Sequence, residues 1–391
     1  MKKILVFIAI SFILLALLFI HSSISEERSA TLVIDRAATI AASAEITAEE
    51  YPDADVVLID SLQQVKYHHD GTYEQWDEQY FKVLTDAGRK NFLTITSFFV
   101  EPYQTEEGCT IPLVEVIKPD GTVIVIDDEA TVMVDSSSID SNIYGTNNKL
   151  VKVNVPEVDV GDTIHFIMYD NIVYPRVKDM WYDMVLFENT FPIRHMTYSV
   201  SGPKDMPLES IALKGNTSDD IISSSYEGPD SLRYTWECSD VPQVFLEPSM
   251  PSFASVAQRL LLSTTSSWEE LSQWYWDISL PRYTTSSELE DAVNAIVYNV
   301  NTPEEKIEAL FYWVAQNIRY SGVIAETVSP GYEPHEVTMT FEKKMGVCRD
   351  KAALLVVMLR YAGFEAYPVI IHNGPKKDIE VPMPYFNHAI V

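Results

Sequence analysis

The period of hydrophobic and polar positions changes near residue 250. From about Asp53 to Val244 the apolar residues come in short runs rich in Val, Ile, Thr and aromatics: "VVLID", "TVIVID", "LVKVNV", "TIHFIMYD" and "LRYTWEC". Turn signals separate them, including "HHDGTY", "TDAGRK", "KPDGTV" and "DVGDT". Asp-Gly pairs between apolar segments predict hairpins, because glycine tolerates the positive φ that tight turns require. Many short strands at this spacing predict an all-β, sandwich-like domain over residues 53–250. Residues 26–52 read as a connecting segment, and the stretch 31–50 has the pattern of one short helix.

Past "EPSMPSF" the pattern becomes helical, and residues 251–300 read as a helical connecting region. Ser267 with Glu270 forms a capping pair ahead of Trp268, Leu271 and Tyr275 at helical spacing. Ser287 with Glu290 repeats the device, with Leu289, Val293, Ile296 and Val300 along one face. In "TPEEKIEALFYWVAQNIRY", Thr302 caps, Pro303 suits the first helical position and Glu305 completes the box. The apolar stripe predicted for that helix is Ile307, Leu310, Phe311, Val314 and Ile318. The aromatics of these helices read as core. No internal repeat or low-complexity tract interrupts the chain.

The opening "MKKILVFIAISFILLALLFIHSSIS" has two lysines before an apolar run from Ile4 to Ile20, followed by small residues. Residues 1–25 therefore read as a secretory signal, with cleavage after Ser25, or as a retained N-terminal membrane anchor. Either way the rest of the chain is expected outside the cytoplasm, in the periplasm or at the cell surface. At 391 residues, 47% of them hydrophobic, the chain is long enough for two or three cored domains. Its 57 acidic residues against 28 basic ones argue against nucleic acid as a partner and favour cationic or neutral ones.

Three cysteines, Cys109, Cys238 and Cys348, are too few and dispersed for a disulfide scaffold or a metal knuckle. In an oxidising compartment the simple partitions join Cys109 to Cys238 or leave both buried, and Cys348 stays a free thiol. No metal or other cofactor is implied. His68 and His69 are adjacent on a hairpin, so their side chains face opposite sides, and the Asp-rich stretches lack calcium-loop spacing.

Cys348 opens "GVCRDKAALLVVMLRYAGF", in which every residue from Ala352 to Leu359 is apolar. That pattern predicts a helix buried on most sides, ended at Gly363. Cys348 then falls in the first turn, where unpaired amide groups and the helix dipole stabilise a thiolate. As the only evidence, this position is equally that of a small buried hydrophobe. Acyl chemistry needs a base as well. Two histidines follow, His372 at a strand end in "IIHNGPKK" and His388 in the strand-like "YFNHAIV".

The run from "GVCRDKAALL" to "FEAYPV", preceded by "YEPHEVTMTFEKKM" and followed by "NHAIV", resembles the transglutaminase-like core, a branch of the papain-like thiol superfamily. The resemblance covers residues 301–391. It implies an α+β fold and places the nucleophile on Cys348 and the base on His388. The all-β region is similar to the domain of unassigned function that often precedes such cores in exported bacterial proteins. The family's third residue, an aspartate, is expected some fifteen residues past His388, and the chain stops three residues past it. The core is therefore expected to be truncated at its C terminus, with little turnover of its own. Asp350 is not a substitute, since helix positions two apart point to different faces. The backbone N–H of Cys348 is a candidate oxyanion donor, with Tyr332 or Trp313 as guesses for a side-chain donor.

The function implied is that of an exported cysteine enzyme acting on amide or peptide bonds of a protein or peptide substrate through a thioester, with hydrolysis preferred to transamidation. The rival is a non-catalytic cell-envelope module that binds a peptide or glycan and keeps the thiol fold as scaffold.

Overall fold

The computed structural model describes residues 34–127, 131–134, 147–215, 221–321, 331–374 and 378–391. The expected signal or anchor over residues 1–25 lies outside the described residues. Among those described, no helix is long and apolar enough to cross a membrane.

The first region contains α1 (Arg36–Glu45), β1 (Val56–Tyr67), β2 (Tyr73–Val83), α2 (Asp86–Asn91), β3 (Thr94–Val100), β4 (Cys109–Ile117), β5 (Val123–Val125), β6 (Thr131–Val134) and β7 (Asn148–Asn154). It continues through β8 (Thr163–Ile172), β9 (Tyr182–Leu186), β10 (Ile193–Pro203), β11 (Ser210–Lys214), β12 (Ile222–Glu227) and β13 (Ser231–Val241). After residue 250 come α3 (Phe253–Val256), β14 (Arg259–Ser263), α4 (Trp268–Ser279), α5 (Ser287–Val297), α6 (Pro303–Asn317) and β15 (Arg319–Tyr320). The last elements are α7 (Val337–Lys343), β16 (Met345–Gly346), α8 (Cys348–Tyr361), β17 (Val369–Ile371) and β18 (His388–Ile390).

The described strands build one large sheet in the order β12-β13-β10-β1-β2-β8-β4-β5, two small ones of three strands, β11-β14-β9 and β3-β7-β6, and the pairs β15-β16 and β17-β18. Within the large sheet β1 and β10 run parallel. One apolar core joins the three larger sheets: Phe81, Val83 and Phe166 from the large sheet meet Val185, Leu260 and Leu262 from one three-stranded sheet and Ile95 and Val153 from the other. This is the sandwich-like layering that the strand pattern predicts. The unbroken run "VVLI" at the start of β1 has a separate cause. Val56 and Leu58 face that core, while Val57 and Ile59 face a second one under α1.

Two local expectations change. "TDAGRK" forms α2, capped by Thr85, instead of a turn. Within residues 251–300, expected to be helical, Arg259–Ser263 forms β14, the centre of a small sheet and buried at every position. Strand β14 reads "RLLLS"; an apolar run this short fits either type of element until its neighbours are known.

The helical caps follow the sequence closely. Ser267 accepts from the Glu270 N–H, and Thr302, Pro303 and Glu305 make the complete capping box of α6. The cap of α5 is Ser286, accepting from the Leu289 N–H, not Ser287. In α6, Leu310 and Val314 are buried and so is Ile318 just beyond its end, but Ile307 and Phe311 are 42% and 51% exposed. The inward face of α6 is therefore narrower than its apolar stripe. Helix α8 is buried from Ala352 to Leu359 apart from the half-buried Leu355. It packs against α5, α6, α7 and β18 and ends at Gly363, which takes a φ of 90°.

Candidate active site

Cys348 is the first residue of α8 and is partly exposed, whereas Cys109 and Cys238 are buried. The backbone that delivers it is fixed from three sides. Strand β16 pairs in parallel with β15, bringing Gly346 opposite Tyr320. Asp350, in the first turn of α8, accepts from the Val347 N–H at 2.8 Å, and its other oxygen accepts from the His335 N–H at 2.9 Å. That same oxygen lies 3.0 Å from His335 Nδ1. Both residues are buried. Burial pushes the Asp350 carboxyl up, but the hydrogen bond and charge of His335, with the backbone donors, outweigh it and hold the group below the usual carboxylate range. Gly346 allows this arrangement, because a Cβ there would lie 2.7 Å from Asp350 Cβ.

Asp350 thus brackets the turn that carries Cys348. Its partner His335 carries no periodic signal and was not singled out by sequence. The Cys348 N–H, being in the first turn, has no intrahelical acceptor, which suits it to a developing oxyanion. Tyr275 of α4 is close enough to feel the charge of Cys348, although burial is the main reason its hydroxyl is pushed up to about 12.

His388 opens β18, the strand against which α8 packs, and is partly exposed. The fold therefore brings together the two elements that carry the predicted site residues. It does not join their side chains: among the described residues neither the Cys348 thiol nor the His388 imidazole has a hydrogen-bond partner. His372 occupies another position. It follows β17, where Ile371 pairs with His388, and its Nδ1–H donates to the Tyr385 carbonyl at 2.9 Å.

The two guessed oxyanion side chains have other contacts. The Tyr332 hydroxyl lies against the carbonyls of Pro384 and Phe386, the latter at 3.1 Å, and so braces the segment that leads to His388. Trp313 stacks on Phe341 and lies under Lys344.

The segment leading to His388 is also held by the β domain. Arg259 of β14 grips Asp378 through two hydrogen bonds of 2.8 Å. The Trp268 indole donates to the Ile379 carbonyl at 2.8 Å, and Lys214 pairs with Glu380 at 2.6 Å. Val381 and Met383 pack with Leu261, and Tyr385 meets Tyr182 edge-on.

A cavity of about 790 Å³ lies where the two regions meet. Its far wall is the inner face of the large sheet. On β2 that face is apolar at Phe81 and Val83 but carries Asp77, Gln75 and Tyr73 at the other end, following the two-residue period. Gln75 pairs across to Asp170 of β8. Asp183 enters from β9 of the small sheet, and the near wall comes from Tyr332, His372, Tyr385 and Asn387.

Comparison with known proteins accords with this architecture. Residues 290–388 match the model of the transglutaminase-like superfamily. The chain carries a transglutaminase-like core. Residues 69–245, ahead of the core, match a domain of unknown function with solved structure, DUF3857. The crystal structure of a candidate protease from Parabacteroides distasonis is similar at a TM-score of 0.67 and 16% identity, over 86% of this chain and 64% of that one. This chain thus spans about two thirds of that protein's length. An M1 zinc metallopeptidase from Deinococcus radiodurans overlaps with a TM-score of 0.28 and 9% identity, over 53% of this chain and 42% of that one. No curated protein matches the chain.

Cys348 and His388 both fall within the matched span.

Proposed function

We propose that the protein is an exported thiol enzyme acting on amide or peptide bonds. The observation that carries this reading is the placement of Cys348, partly exposed at the first position of a buried helix that packs on the strand opened by His388. In this scheme His388 removes the thiol proton, and the sulfur attacks the carbonyl as the Cys348 N–H faces the developing oxyanion. His388 then returns the proton to the leaving amine. A thioester remains on Cys348. Water attacking it regenerates the thiol and releases an acid, which is hydrolysis; an amine attacking it gives a new amide. We favour water, the nucleophile always present. The likeness to a candidate protease supports the same class of reaction.

The test is labelling of the folded protein with iodoacetamide and with a peptidyl acyl probe, with Cys348→Ala as control. The reading expects modification of Cys348 well above that of the other thiols. A native Cys348 no more reactive than Cys109 would sink it.

A second reading makes the protein an envelope binding module with the thiol fold as scaffold. It is favoured by the missing contact between thiol and imidazole and by the size of the cavity where the two regions meet. Peptide binding without any Cys348 adduct would select it.

A further inference from the structure

The cavity between the β domain and the core contains polar groups that the thiol chemistry does not use. Asp170 and Asp183 both line it. Asp183 is surrounded by protein yet keeps accessible surface, as a group facing an internal space does. Burial raises both carboxyls, against the Tyr198 hydroxyl bond to Asp183 at 2.8 Å and the Gln104 bond to Asp170 at 3.0 Å. Nearby Asp77 is pushed up to about 6 by burial, with the charges of Asp170 and Asp183 adding to the effect. Among the described lining residues the only lysine or arginine is Arg176, which is exposed and lies over the Tyr103 ring at 4.0 Å.

Two further groups border the cavity with an unmatched nitrogen. Trp181, only 2% exposed, lines the cavity and has no acceptor for its indole N–H among the described residues. His372 also lines it. Its Nδ1–H is committed to the Tyr385 carbonyl, so in the neutral ring Nε2 is an acceptor, and this atom is buried without a partner among the described residues. Both rings border the cavity, and each keeps one buried nitrogen unmatched among the described residues.

We propose that this cavity binds a basic side chain, of the lysine or arginine type, belonging to a peptide. Asp183 and Asp170 receive the cationic head, as charge-assisted acceptors do. Tyr73, Tyr182 and Tyr385 enclose the aliphatic stem, their rings also being favourable to a cation. The cavity wall includes Asn387, which precedes His388 in the chain. The domain of unknown function then contributes specificity to the core. The inference rests on the proposed function for the peptide nature of the ligand; the recognition chemistry stands on the cavity.

The experiment measures binding to the Cys348→Ala protein by fluorescence anisotropy. The probes are labelled Ala-Ala-Xaa-Ala-Ala peptide amides in which Xaa is Lys, Arg, norleucine or Glu. The Lys and Arg peptides are expected to bind at least about 10-fold more tightly than norleucine, and Glu most weakly. Asp170→Asn, which leaves the Tyr198 bond to Asp183 intact, is expected to reduce that preference while Tm stays near that of the parent. Equal binding of the four peptides to the parent overturns the proposal without any variant, as does an undiminished preference in a folded Asp170→Asn, Asp183→Asn protein. A basic preference with an unreactive Cys348 removes the enzyme reading and leaves the pocket. A reactive Cys348 without the preference removes the pocket alone.

Discussion

The β domain and the transglutaminase-like core each contain cysteine, and they treat it in opposite ways. Cys109 and Cys238 sit inside sheet layers, where burial pushes both thiols up to about 12. Cys348 has the same side chain at the start of a helix with part of its surface open. The difference lies in the backbone. A strand interior uses its amide groups for the ladder and has none to offer a sulfur anion, whereas the first helical turn leaves them free. The two regions also depend on each other unequally: the sandwich has its own large core, while the segment leading to His388 is fastened to the sandwich through Asp378, Glu380, Val381 and Met383.

The contrast breaks most easily at the thiols. At pH 7.5 a thiol with a pKa of about 12 is ionised to roughly one part in 10⁴ to 10⁵, so iodoacetamide should leave Cys109 and Cys238 of the folded protein unmodified over hours. Peptide mass mapping before and after denaturation checks this. Oxidation should not join the two, because β4 and β13 are five strand spacings apart in the large sheet, roughly 24 Å, far beyond disulfide reach. The pairing considered from sequence is therefore replaced by two separate buried thiols.

Asp350→Ala should have the next largest effect. It removes the carboxylate shared by the Val347 and His335 N–H groups and leaves buried donors unmatched, at about 3–5 kcal/mol. Chemical denaturation followed by tryptophan fluorescence reads it, and a loss below about 1 kcal/mol would disprove the bracket role. The sign with pH follows from the lowered carboxyl: its contribution is complete above the usual carboxylate range and disappears as pH falls through the depressed folded value.

Asp378→Ala breaks the clamp at its core end and strands Arg259, which is 7% exposed. A loss of about 2–4 kcal/mol is expected. Acylation of Cys348 by the peptidyl probe should fall more than its labelling by iodoacetamide, because His388 is displaced and the thiol is not. Equal losses in both assays would argue against the clamp.

The smallest effect belongs to the sandwich alone. His195 lies 2.7 Å from Asp60 and 3.0 Å from Glu237. The Asp60 bond, opposed by burial and aided by Glu237, raises it to about 9. Its stabilisation is full below the ordinary histidine value near 6.5 and is lost as pH rises through 9. In His195→Gln the Tm between pH 6.5 and 9 should be flatter than in the parent. Superimposable profiles would dismiss the effect.

Local pattern determined a good deal of this protein. Alternation and Asp-Gly turns foretold the strands, as in "HHDGTY", where Gly71 takes a φ of 85° between β1 and β2. Thr302, Pro303 and Glu305 announced α6 because a cap involves residues three positions apart. The apolar run after Cys348 announced α8, and with it the thiol's place in a first turn. Tertiary structure alone decided the order of the strands, and hence the separation of Cys109 from Cys238. It also decided that Phe311 stays exposed, that Asp350 finds His335, that residues 378–385 lie against β14, and that Asp170 and Asp183 face one cavity. The physical reason is range. Periodicity and capping act over one or two turns of chain, whereas Arg259 and Asp378 are 119 positions apart, and only the packed fold decides which distant groups share a buried space.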